Sequence, residues 1–128
     1  MNIVDSSCWL EYLSGSVVGE KVSKIIEDTG NLIVPSIILY EVFKKLLLEK
    51  DEDVALFIIA QVRQGRVIDL DEDLSIFAAR IGKKHNLSLA DSIIYATTIK
   101  YNCILYTQDK HFKDLDGAKF FGKKSNGA

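Results

Sequence analysis

Short β-branched or aromatic runs alternate with helix-length stretches along this chain, and no other feature restricts its fold as much. The runs are Asn2–Val4, Leu32–Val34, Val67–Leu70, Cys103–Tyr106 and, more weakly, Lys119–Phe121. Helical stretches between strands require crossovers, hence parallel pairing with helices on both faces. The sequence therefore predicts an α/β fold, a three-layer α/β/α arrangement around a parallel sheet of four to five short strands. In such sheets ligands gather at the C-terminal ends of the strands, near the switch in strand order. With 128 residues, no repeat and a single proline, the chain has length for one core and no visible linker. One domain over residues 1–128 is expected.

The helices are marked by their caps. Ser6 or Ser7 is placed to cap a helix over Cys8–Leu13 that Gly15 ends, and Gly19–Asp28 carries Val22, Ile25 and Ile26 at helical spacing. Pro35-Ser36 opens a long helix with Ile37, Ile38, Val42, Leu46 and Leu47 facing inward, and Asp51 or Asp53 opens the next, through Val62. Asp71–Lys84 repeats the scheme, and Asn86 or Ser88 restarts the chain for a helix reaching Tyr101.

Four carboxylates interrupt this apolar pattern. Asp5 ends the run Met1–Val4, Glu41 interrupts Ile37–Phe43, Asp91 interrupts Leu87–Ala96, and Asp109 follows Cys103–Thr107. A charge among apolar side chains costs several kcal/mol, at about the scale of a buried unpaired ion, unless it is compensated. Helix capping accounts for some of the four: Asp5 and Asp109 each precede a turn, and Ser88-Leu89-Ala90-Asp91 matches a capping box. Glu41 lies in the second turn of its helix, where no cap is needed, so its alternatives are an exposed stripe or a shared partner.

A divalent cation is the common partner that would neutralise all four. Oxygen ligands suit a hard ion, Mg²⁺ or Mn²⁺, and such an ion with bound water is equipment for phosphodiester hydrolysis. Other chemistries lack their parts. The chain has no phosphate loop of the G-x-x-x-x-G-K-[ST] type, no G-x-G-x-x-G and no G-x-S-x-G. An acyl-phosphate receiver is disfavoured because Asp5 has no adjacent acidic partner. Ser6, Ser7 and Ser92 read as caps or supporting donors, and Thr107 is placed to orient an acid or a water.

Cys8 and Cys103 are far apart and flanked by apolar residues, which suits buried free thiols. His85 and His111 are the only histidines, too few for a zinc site, and each reads as an exposed or helix-end residue. The net charge of −2 argues against holding nucleic acid by bulk electrostatics. Local basic patches remain at Lys44-Lys45, Arg63 with Arg66, Lys83-Lys84 and Lys123-Lys124, for which surface solvation is the simpler reading. No signal peptide or membrane span is visible, so a cytoplasmic location and no membrane partner are expected.

Four motifs in order carry a family resemblance: Ile3-Val4-Asp5-Ser6-Ser7, Val34-Pro35-Ser36 leading to Glu41, Leu89-Ala90-Asp91-Ser92-Ile93-Ile94-Tyr95-Ala96, and Leu105-Tyr106-Thr107-Gln108-Asp109-Lys110-His111-Phe112. With these the chain resembles the PIN-domain ribonucleases, most closely the VapC-type toxins of toxin–antitoxin pairs. The resemblance implies that Asp5, Glu41, Asp91 and Asp109 bind one or two Mg²⁺ or Mn²⁺ ions, with Thr107 and Ser6 in support. It implies endonucleolytic RNA cleavage leaving a 5′-phosphate and a 3′-hydroxyl. It also implies a homodimer and a cognate antitoxin whose C-terminal segment crosses the cleft. The apolar helical pair within 36–64 offers surface for such contacts, and Lys44, Lys45, Arg63, Lys83 and Lys84 are candidates for holding the RNA backbone. Gln108 and Cys8 depart from residues common in the family. The alternative reading is a non-catalytic regulatory or binding module on the same fold, with its acids holding a structural metal ion or capping helices.

Overall fold

The computed structural model describes residues 1–122; the Lys123-Lys124 pair lies outside the described residues. The strands are β1 (Asn2–Val4), β2 (Leu32–Pro35), β3 (Arg66–Ile68), β4 (Ile104–Thr107) and β5 (Ala118–Phe120). All four pairings are parallel, and the order is β3-β2-β1-β4-β5. Six helices connect them: α1 (Ser6–Ser14), α2 (Val17–Glu27), α3 (Ser36–Glu49), α4 (Glu52–Val62), α5 (Glu72–His85) and α6 (Leu89–Lys100). They pack as consecutive pairs, α1 on α2, α3 on α4 and α5 on α6. Successive strand residues point to opposite faces, yet Ile3, Val4, Leu32, Ile33 and Val34 are all buried, so both faces of the central sheet are covered. This is the expected α/β layering.

Helix starts follow the cap chemistry with one exchange. The cap of α1 is Asp5, whose carboxylate accepts the Ser6 N–H, rather than Ser6 or Ser7. A carboxylate already at the strand end reaches the first free amides, so the helix begins earlier than Cys8. Ser16, Asp51, Asp71 and Ser88 cap α2, α4, α5 and α6. Gly15 closes α1 in the left-handed region at φ 76°, and its N–H meets the Glu11 and Tyr12 carbonyls.

The strand ends shift for local reasons. The third strand stops at Ile68 instead of Leu70 because its partner β2 ends at Pro35, opposite Ile68, where the chain turns into α3. Cys103 is excluded from β4 because its N–H closes the end of α6 on the Thr98 carbonyl, after Asn102 turns at φ 51°. Both cysteines are free and buried, and burial pushes the Cys8 thiol up to about 12. The α5–α6 crossing is close: a Cβ on Gly82 would collide with Ser92 Oγ. Ser92 in turn bonds back to the Ser88 carbonyl at 2.6 Å.

Candidate active site

Strand order reverses between β1 and β4, since β1 leads on to β2 and β3 on one side while β4 and β5 lie on the other. Asp5 stands at the C-terminal end of β1 in this crevice. Its N–H continues the ladder to the Tyr106 carbonyl at 2.9 Å, which brings it level with Thr107. The Thr107 hydroxyl donates to Asp5 Oδ2 at 2.8 Å, and the Ser7 hydroxyl approaches the same oxygen at 3.3 Å. Ser7 Oγ also accepts from the Gln108 N–H at 3.4 Å, so one serine ties the two strand ends together.

Thr107 passes the arrangement on. Its hydroxyl oxygen accepts the Asp109 N–H at 2.9 Å, which fixes the backbone where Asp109 begins a 3₁₀ turn over Lys110–Phe112. Asp109 caps that turn through the His111 N–H, and the fully buried Phe112 anchors it against Tyr95. Asp91 arrives from the first turn of α6, whose cap Ser88 accepts the Asp91 N–H. Its carboxylate faces His111, with His111 Nδ1 at 3.3 Å from Asp91 Oδ2 and 3.1 Å from Asp109 Oδ1. Glu41 enters from the second turn of α3 and is half-buried; its Oε1 is inaccessible to solvent and has no hydrogen-bond partner.

Electrostatics link the four acids. Burial raises the Asp5 pKa, and the charges of Asp91 and Asp109 add to that rise against the opposing bonds from Thr107 and the Ser6 amide. Glu41 is raised by burial first and then by the charge of Asp5, with Ser6 opposing and Asp91 and Asp109 contributing. Burial, then Asp109, raises Asp91, against Ser88 and His111. The sequence-predicted acids Asp5, Glu41, Asp91 and Asp109 thus come together, with Thr107 and Ser6 beside them. The tightest group is a different subset: ligand atoms of Asp91, Asp109 and His111 all lie within 4.8 Å of one another. Asp5 and Glu41 stand outside that trio while sharing its field.

The sequence alone gives His111 no site role and Ser7 only that of a cap or supporting donor. His111 sits two residues after Asp109 in a motif already singled out, and that spacing was the available signal. Capping did occur at Asp5 and Asp109, where it occupies amides without consuming the carboxylates' remaining lone pairs, whereas in α6 Ser88 is the cap and the reciprocal bond from the Ser88 N–H to the Asp91 carboxylate is not made. The basic candidates are more dispersed. Lys44 and Arg63 line a groove of about 720 Å³ between α3 and α4 that reaches Ser36 and Asp69 at the C-terminal ends of β2 and β3. Lys45 is engaged with Glu49 at 3.6 Å, Lys83 lies in the α5–α6 groove, and Lys84 lines a cleft at the opposite edge of the sheet.

A cation fits this donor set. A buried carboxylate oxygen without a partner, on a glutamate whose proton affinity is raised by burial and by the charges of Asp5, Asp91 and Asp109, is an arrangement that a positive charge relieves.

A PIN-domain family model matches residues 3–118. The chain belongs to the PIN-domain family. Solved PIN-like structures superpose over nearly its whole length. A toxin–antitoxin complex from Klebsiella pneumoniae aligns with TM-score 0.80 at 17% identity, covering 96% of this chain and 100% of that one. VapC20 of Mycobacterium tuberculosis, described as a sarcin–ricin loop cleaving toxin, gives 0.72 at 18%, covering 91% and 95%. FitAcB from Neisseria gonorrhoeae gives 0.69 at 23%, covering 94% and 97%. At these identities the likeness establishes the PIN fold. No curated protein matches the sequence. Among the described residues of this PIN domain, no helix is long and apolar enough to cross a membrane.

Proposed function

We propose that this PIN domain is a divalent-metal-dependent endoribonuclease acting as the toxin of a toxin–antitoxin pair. The observation that carries the reading is the meeting of Asp5, Glu41, Asp91 and Asp109 at one edge of the sheet, with Glu41 Oε1 buried and unpartnered. Those four carboxylates would hold one or two Mg²⁺ or Mn²⁺ ions. When bound, such an ion supplies Lewis-acid polarisation of a phosphoryl oxygen and an acidified water. The chain's own residues do the positioning: Thr107 and Ser7 fix Asp5, Thr107 fixes the Asp109 amide, and Ser6 supports Glu41. RNA would be cleaved to leave a 5′-phosphate and a 3′-hydroxyl.

The partner assignments rest on surface chemistry and on the family. The α3–α4 face leaves Tyr40, Leu47, Leu48, Leu56 and Phe57 exposed, more apolar surface than a solvated helix pair needs. It suits a protein partner, either a second copy in a homodimer or an antitoxin segment. Lys44 and Arg63 at its groove would meet a phosphate backbone or an acidic segment passing to the acids. A cytoplasmic location accords with both substrates and partners of this kind.

The test is incubation of the purified protein with pooled cellular RNA and Mn²⁺, followed by sequencing of new 5′-ends. Discrete 5′-phosphate ends are expected, abolished by EDTA and by Asp5→Ala or Asp91→Asn in a folded protein. Cleavage that resists EDTA sinks the mechanism, and a wild-type protein that binds metal without cutting any RNA leaves the binding-module alternative.

A further inference from the structure

His111 gives the acid cluster a nitrogen that oxygen-only reasoning leaves out. Its Nδ1 lies 3.1 Å from Asp109 Oδ1 and 3.3 Å from Asp91 Oδ2. Neighbouring ligands held at about 2.1 Å from one ion are about 3.0 Å apart at right angles and about 3.4 Å apart in a tetrahedron. Each spacing from the histidine nitrogen to a carboxylate oxygen is therefore that of adjacent corners around a cation. Two independent elements deliver them: Asp91 comes from the α6 N-terminus, and Asp109 and His111 come from the turn after β4.

The backbone beneath His111 is held while its ring is not enclosed. The Asp109 carboxylate takes its N–H, and Phe112 beside it is fully buried, yet the imidazole remains 71% exposed. Core packing gives no reason for the ring to turn toward the acids, because it contributes little to the core. An imidazole nitrogen carries at most one proton, so a single Nδ1–H divided between two carboxylates is a poor hydrogen-bond solution, whereas a lone pair directed at an ion between them satisfies all three groups.

We infer that His111 Nδ1 is a ligand alongside Asp91 and Asp109, and that this mixed nitrogen and oxygen set selects a divalent transition ion such as Mn²⁺ over Mg²⁺. The inference rests on the metal-site reading above and narrows it. Imidazole favours transition ions, while an all-oxygen set accommodates Mg²⁺ as readily. Replacing the nitrogen by an oxygen at the same place weakens that preference.

The experiment titrates the intact metal-free protein with Mn²⁺ alone and with Mg²⁺ alone, by calorimetry, and records electron spin-echo modulation of the Mn²⁺ form. The expected result is ¹⁴N modulation in the wild type that disappears in His111→Gln, with Mn²⁺ affinity about tenfold weaker in that variant. His111→Asp restores binding without ¹⁴N modulation and lowers the Mn²⁺-to-Mg²⁺ affinity ratio several-fold. Mn²⁺ bound without ¹⁴N modulation, or modulation that persists in His111→Gln, overturns the assignment and leaves a carboxylate-only site. No Mn²⁺ binding at all overturns this inference together with the metal-dependent nuclease reading.

Discussion

The two ends of the sheet handle polar groups in opposite ways. At the edge where β4 and β5 begin, the cleft of about 490 Å³ between α5, α6 and the β5 approach has its phenol matched: Tyr95 Oη donates to the Asp116 carbonyl at 2.7 Å, and its ring stands edge-on to His85. At the edge where β1 and β4 finish, acids crowd together and Glu41 Oε1 has no partner. One edge is closed by internal bonds, and the other is left with a negative charge that something external must satisfy. The contrast teaches that, among the described residues, mutually repelling acids gather at one place, and that the electrostatic cost there marks the site.

The contrast can be broken most severely from beneath. Phe112→Ala removes the buried anchor of the turn carrying Asp109 and His111, and a loss of about 3–5 kcal/mol is expected from denaturant unfolding. RNA cleavage should fall with it, more steeply than the surviving folded fraction.

Asp5→Asn attacks the acidic edge directly, and its two effects should have opposite signs. Metal-dependent cleavage should drop by about a hundredfold or more in the RNA assay. Stability of the metal-free protein should rise, because an amide keeps the Thr107 contact without the buried charge. The pH dependence follows from the same shift. Asp5 binds its proton more tightly folded than unfolded, so its contribution is fully present below the ordinary value near 3.8 and is lost as pH rises through the raised native value. Metal-free melting curves should therefore decline with rising pH above that range, less steeply in Asp5→Asn and in Glu41→Gln. A parallel decline in wild type and variants would show that the acids are already compensated.

Added Mn²⁺ should sharpen the comparison by repairing one edge only. At a hundredfold excess over Kd it should stabilise the wild type by about 2.7 kcal/mol, read as a shift in melting temperature, with little effect on Asp5→Asn. The smallest effect belongs to the satisfied edge: Tyr95→Phe should cost about 1 kcal/mol for the lost bond to Asp116 and leave cleavage unchanged.

Much of this was legible before any coordinates. Strand runs separated by amphipathic stretches carry their own periodicity, so the layering and four to five strands followed from local pattern, and end positions moved where a partner strand stopped, as at Ile68, or a helix cap claimed a residue, as at Cys103. Asp5, Glu41, Asp91 and Asp109 stood out because a charge contrasts with apolar neighbours. His111 did not, since it is an exposed polar residue in a three-residue turn with no periodicity to violate. Its significance comes from an approach to Asp91, 20 residues away in sequence, that exists only once α6 and β4 are docked. Ser7 is similar: its link to Gln108 spans 101 positions, a distance over which a single sequence carries no signal.

The pairing of β1 with β4 has a consequence for how the molecule comes into being. Asp5 is synthesised 102 residues ahead of the Thr107 hydroxyl that orients it, and nearly as far ahead of the strand that supports it. A nascent polypeptide lacking that late strand has no central register to complete. The acid cluster would thus assemble only after β4 has been synthesised.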